Sequence, residues 1–141
     1  MRGRNIQGIQ QAQGIGSHII KQLRGYFQDT IEIIALGTNA IAVAQMLKSR
    51  ANRGASGQNA IVQTVKQVDV ITGPIGIVTA HAMMGEITPS MATAISASPA
   101  RKLLIPLSQE NIIIAGVKSM PLPRLVEAMI QDDLKPYLEN E

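Results

Sequence analysis

Few side chains in this sequence are equipped for chemistry, and those few lie close to glycine turns. His81 and Glu86 are the only acid–base pair beside such a turn, Gly73-Pro74-Ile75-Gly76. An imidazole that titrates near neutrality, set against a carboxylate, can take up and return a proton. Their five-residue spacing crosses Gly85, and no third group to orient them is evident. A packed or surface histidine beside a structural glutamate therefore stands as the alternative. The second chemistry is anion binding. Gly14-Ile15-Gly16 precedes a helix, whose free N–H groups and positive dipole end favour negative charge. Gly73, Ile75 and Gly76 offer backbone amides at a second turn, where Pro74 contributes none. Gly37-Thr38-Asn39 forms a third, and its Thr38 and Asn39 can take a ribose hydroxyl or a base edge. Each turn has a plainer alternative, a tight connection or, for Asn39, a helix cap.

The rest of the composition closes off other chemistry. The 141 residues contain no cysteine, which removes disulfides, thiolate metal sites and cysteine nucleophiles. Two isolated histidines, His18 and His81, do not make a metal site. Three aromatics are too few for a base-stacking platform. No GxSxG, HExxH or GxxxxGK[ST] pattern occurs. Hydrophobic residues make up 45%, enough for a core, yet no apolar run reaches the roughly 18 residues of a membrane span. The start of the chain shows no secretory signal, so a cytoplasmic location is expected. Residues 1–68 carry eight Lys or Arg against two acids, and residues 69–141 carry five against eight. A basic half can attract a small anion by its field. Four like charges never fall together, which argues against nucleic acid as a partner.

Positioning these groups requires alternating strands and helices. Ile15, Ile19, Ile20 and Leu23 predict an amphipathic helix over 15–25. Thr30 to Leu36 is a β-branched run that predicts a strand buried on both faces. Asn39 caps a second helix, a glycine-containing loop with a short strand spans 50–57, and a third helix starts near Gln58. Val68 to Thr72 predicts the next strand, followed by a helix over 77–84 and another from Thr88-Pro89 to about Ala97. Strands at 102–107 and 111–117 predict an antiparallel hairpin, with Pro106 marking an edge or a bulge. A final helix begins near Leu122 and frays into an acidic tail over 132–141. Met46, Met83, Met84 and Met91 fall on apolar helix faces and read as core filling. The first strand, within residues 1–13, is the weakest element: only Ile6 and Ile9 are apolar, and Gly8 interrupts them. The pattern as a whole predicts an α/β fold, one domain over 1–141. Its mostly parallel sheet is flanked by helices in three layers, with a C-terminal hairpin and helix.

The succession Gly14-Ile15-Gly16, EIIALGTNAIA over 32–42, GPIGIV over 73–78 and GEITP over 85–89 resembles a small bacterial family known as a domain of unknown function. Its members are Rossmann-like single domains with an N-terminal DGQGGGIG-type loop and a GPIGI motif. Similarity runs from about Ile6 to Ile130, and it implies a Rossmann-like fold with its site at the glycine turns. The family implies no activity. In this chain Ile9 replaces the acidic residue of that loop, and Gln10, Ala12 and Gln13 replace glycines. Side chains there crowd the pyrophosphate of a dinucleotide, although glutamine amides donate hydrogen bonds themselves. The stretch from Gln10 to Gly16 is also similar to the GxxxGxG loop of short-chain dehydrogenases with its first glycine replaced. Their Tyr-x-x-x-Lys arrangement is missing here.

Two functional expectations result. One is a binder of a nucleotide or phosphorylated small molecule at the carboxyl edge of the sheet, contacting Gly14, Ile15, Gly16, Thr38, Asn39, Gly73, Ile75 and Gly76, with no reaction named. The other is a structural, self-associating protein without catalysis, suggested by the glutamine-rich start and the apolar strand Ile112-Ile113-Ile114. A homo-oligomer is expected in either case.

Overall fold

The computed structural model describes residues 5–10, 14–107 and 111–140. Its strands are β1 (Asn5–Gln10), β2 (Glu32–Gly37), β3 (Arg53–Ser56), β4 (Val70–Pro74) and β5 (Arg101–Ile105). They form one parallel sheet in the order β3-β2-β1-β4-β5. Helices α1 (Ile15–Phe27), α2 (Ala40–Lys48), α3 (Gln58–Thr64) and α4 (Pro89–Ala97) lie in the four connections between successive strands. After β5 the chain forms α5 (Leu122–Ala128), a π-helical turn (Met129–Leu134) and α6 (Lys135–Glu139).

The apolar run of β2 explains the layering. Ile33 and Ala35 join a cluster with Ile19, Ile20 and Leu23 of α1 and Met46 of α2. Ile34 and Leu36, the alternate residues, join a second cluster with Ile61 of α3 and Ile95 of α4. Side chains alternate along a strand, so the two clusters lie on opposite sides of the sheet. Each fully buried isoleucine or leucine contributes about 1.5–3 kcal/mol relative to exposure. The β1 strand sits in the centre despite its weak composition, because ladders to both β2 and β4 hold its backbone.

Several expectations need correction. Residues 77–84 do not form a helix. A short 3-10 turn, Ile75–Val78, gives way to a loop in which His81, Met83 and Met84 have positive φ. Ile77, Ala82 and Ile87 are the buried anchors of that stretch, and a spacing of five does not fit one helical face. The C-terminal hairpin does not form either: residues 111–117 carry no strand, and β5 pairs with β4 in parallel. Pro106 has no N–H to give a ladder, and the Leu107 amide turns back to the Ile105 carbonyl at 2.8 Å, ending the strand. The tail does not fray from residue 132, because Leu134 is fully buried and the helix continues to Glu139. The π-helical turn widens the helix just before Pro136, whose ring would otherwise meet the preceding turn. Finally, α1 runs two residues past Gly25, to Phe27.

Candidate functional site: the carboxyl edge of the sheet

The strand register brings the three turns to one level. Gln10 of β1 pairs with Gly37 of β2, and Gly8 pairs with Thr72 of β4, two residues before Pro74. The carboxyl ends of β1, β2 and β4 thus lie along the same edge of the sheet. Gly14 adopts a left-handed conformation (φ 78°) at the start of α1, and no side chain caps that helix. Glycine tolerates this conformation without the steric cost a side chain would add. The residues between Gln10 and Gly14, including Ala12 and Gln13, lie outside the described residues.

The second turn is built for packing as well as for polarity. A Cβ on Gly37 would come within 3.0 Å of a Val43 methyl, so the glycine lets α2 pack close to the strand end. Asn39 caps α2: its Oδ1 accepts the Ala42 amide at 2.9 Å. This fulfils the capping alternative, while the Asn39 Nδ2 reaches the Glu86 carboxylate at 3.5 Å.

Glu86 is where sequence reasoning and structure diverge most. No hydrogen bond or ion pair joins its carboxylate to the His81 imidazole among the described residues. Instead it accepts a hydrogen bond from the Thr38 hydroxyl, across the edge of the sheet. The first turn of α2 has no acidic residue of its own. The Glu86 carboxylate supplies negative charge at that positive helix end from a different connection. The loop that carries it is tied by its own backbone: the His81 amide donates to the Ile87 carbonyl at 2.6 Å, and the Gly85 amide to the His81 carbonyl at 3.1 Å. The His81 side chain itself is exposed.

The turn after β4 holds Gly73 and Gly76 buried and Ile75 half-buried. Just inside it lies a residue that the sequence analysis did not single out. Thr72 is 1% exposed, and its hydroxyl has no hydrogen-bond partner among the described residues. It shares a sheet face with Val70, which belongs to the α1 cluster. A lone threonine directly before the glycine turn, in an otherwise apolar strand, was the available signal.

Two further polar features flank this edge or lie away from it. A groove of about 450 Å³ between α1 and α2 is lined by Gly14, His18, Lys21 and Lys48 among others. Arg24, at the other end of α1, is 5% exposed. It donates to the Arg50 carbonyl at 2.9 Å, the Gln28 carbonyl at 2.6 Å and the Asn52 Oδ1 at 2.6 Å. Burial pulls its guanidinium below the usual arginine value, while Asp29 opposes the shift and Arg50 adds to it. This arginine ties α1 to the starts of β2 and β3, opposite the glycine turns, and so holds the scaffold together. Among the described residues, no group of three acidic or histidine side chains is placed to hold a metal ion. None of the described helices is long and apolar enough to cross a membrane.

A parallel, helix-covered sheet with polar turns gathered along one edge defines the class, a mixed α/β protein. The family model described as a domain of unknown function (DUF3842) matches residues 6–137, and the chain belongs to that family. No curated protein matches the chain.

Proposed function

We propose that this chain is a Rossmann-like, three-layer domain that binds a nucleotide or phosphorylated small molecule at the carboxyl edge of its sheet. The observation that carries the proposal is the strand order. Neighbours β1 and β4 send their connections to opposite sides, toward β2 and β5. Open α/β sheets hold ligands in the crevice at such a reversal. In this reading the amides of Gly14, Ile15 and Gly16 meet a phosphate, with Gly73, Ile75 and Gly76 as the facing wall. Thr38 and Asn39 take a ribose or sugar hydroxyl together with Glu86. That carboxylate fills the role of the acid that dinucleotide sites of this fold usually place after the second strand.

In the sequence, Gln10, Ala12 and Gln13 stand where the family's loop has glycines, a substitution that suits a single phosphate group better than the extended pyrophosphate of a dinucleotide. His81 is the remaining acid–base candidate on the same edge, and the reading assigns it no step. The absence of cysteine suits a cytoplasmic setting. A thermal-shift screen of nucleotides, sugar phosphates and dinucleotides tests the proposal. A ligand at about 100 times its Kd adds roughly 2.7 kcal/mol to the native state, raising Tm by about 8 °C. No shift with any compound of these classes overturns it.

A further inference from the structure

Residues 14–68 carry six Lys or Arg and only two acids, Asp29 and Glu32. Both acids already face arginines, Asp29 with Arg50 at 4.0 Å and Glu32 with Arg53 at 3.2 Å. Arg24 is engaged by carbonyls and Asn52, and the Lys66 ammonium donates to the Gln63 side chain at 3.4 Å. Lys21 and Lys48 remain, both exposed, with no hydrogen bond or ion pair among the described residues. These two line one groove, the cleft of about 450 Å³ between α1 and α2, and neither helix contains an acidic residue. The same groove is lined by His18, whose Nε2 is buried and has no partner among the described residues. A buried polar atom of this kind is unfavourable, and a bound group that pairs with it offsets the penalty.

The groove is also continuous with the glycine turn. Its lining residues Gly14, Ser17, His18 and Lys21 are spaced by three and four, so they share one face at the start of α1. From Gly14 to Lys21 the helix rises about 10 Å. Helical side chains lean toward the amino end, so the Lys21 stem sets out back toward Gly14.

Resting on the anion-binding reading above, we propose that the ligand carries a second phosphate, on a separate carbon from the first, held in this groove by Lys21 and Lys48. The ligand class is then a bisphosphate of a sugar or nucleoside. The two anion positions lie up to about 10 Å apart along α1. That is wider than the shared oxygen of a pyrophosphate allows, but phosphates on separate carbons of a sugar can reach it. Two lysines without acids beside them balance the charge of a phosphate monoester, about −1.5 to −2 at neutral pH. Lys48 stands in the last turn of α2, whose negative end already attracts it. Lys21 therefore carries the larger share of the contact.

Calorimetric titration at low ionic strength with two matched pairs of probes tests it. The pairs are adenosine 5′-monophosphate against adenosine 3′,5′-bisphosphate, and fructose 6-phosphate against fructose 1,6-bisphosphate. In at least one pair the second phosphate is expected to tighten binding about tenfold, a gain that shrinks as salt rises. Lys21→Gln with Lys48→Gln should cut that gain to about twofold or less while leaving the ligand-free Tm unchanged. Lys21→Arg with Lys48→Arg should retain most of it. Lys66→Gln, which removes an exposed cation beside α3, should leave it intact. A monophosphate that binds with no gain from the second phosphate in either pair overturns the inference and leaves the proposed function standing. So does a gain that survives the double glutamine variant, or one that Lys66→Gln reduces equally. No binding by any of the four compounds overturns the proposed function, and the second phosphate site falls with it.

Discussion

Replacing Thr72 by valine separates what the scaffold needs from what a ligand would use. The hydroxyl is buried at 1% exposure with no partner among the described residues. A buried hydroxyl without a hydrogen bond costs about 1–3 kcal/mol relative to its solvated state. Valine keeps the branched shape and removes that cost, and its extra methyl buries apolar surface worth about 0.8 kcal/mol. Slight overpacking offsets part of this gain, so Thr72→Val should stabilise the free protein by about 1–2 kcal/mol, or roughly 3–6 °C in Tm. Thr72→Ser keeps the hydroxyl and loses a methyl, and should destabilise by about 1 kcal/mol. Urea denaturation with unchanged slope reads both values directly. If the hydroxyl serves a bound ligand, the stabilised valine variant should bind that ligand about tenfold more weakly. A valine variant less stable than wild type by about 1 kcal/mol would refute the reasoning, because it would mean that the hydroxyl already has a partner.

Arg24→Met should cost about 3 kcal/mol, near 10 °C in Tm, because it strips charged donors from three carbonyls and from Asn52. Thermal denaturation checks it, and Arg24→Lys should recover only part of the loss. A Cβ on Gly54 would lie 2.5 Å from a Val43 methyl, so Gly54→Ala should destabilise by about 1–3 kcal/mol. Val43→Ala in the same chain should then cost less than it does alone, a coupling that a double-mutant cycle detects. Met84 is fully exposed with φ 57°, so Met84→Gly should raise stability by about 0.5–1 kcal/mol, measured by chemical denaturation.

The strands and most helices were legible because burial on both faces leaves a distinct mark. Thr30 to Leu36 could only be a central strand, and the Asn39 and Thr88 caps fixed two helix starts. Segment 77–84 misled because Ile77, Ala80 and Met84 also fit a helical face. Its actual course depends on Ile77, Ala82 and Ile87 reaching the α3–α4 core, a tertiary constraint invisible in local spacing. The hairpin pattern misled because residues 111–117 are apolar and β-branched in composition, yet they carry no strand: the Val117 amide closes a turn on the Ile114 carbonyl, with Gly116 at φ 84°. At the candidate site, the glycine turns were visible as motifs. The contact of Glu86 with Thr38 was not, because 48 residues and two strands separate them. Arg24 looked like one more solvated helix end, since nothing local shows that the 50–52 turn folds over its guanidinium.

Amide chemical shifts of the 15N-labelled protein, titrated with a nucleoside monophosphate or sugar phosphate, test the central claim most directly, because they observe the donors themselves. The account expects saturable shifts concentrated at Gly14–Gly16, Thr38, Asn39 and Gly76, with smaller effects at Thr72. Shifts confined to the lysine-lined groove between α1 and α2, or none at millimolar ligand, would contradict it.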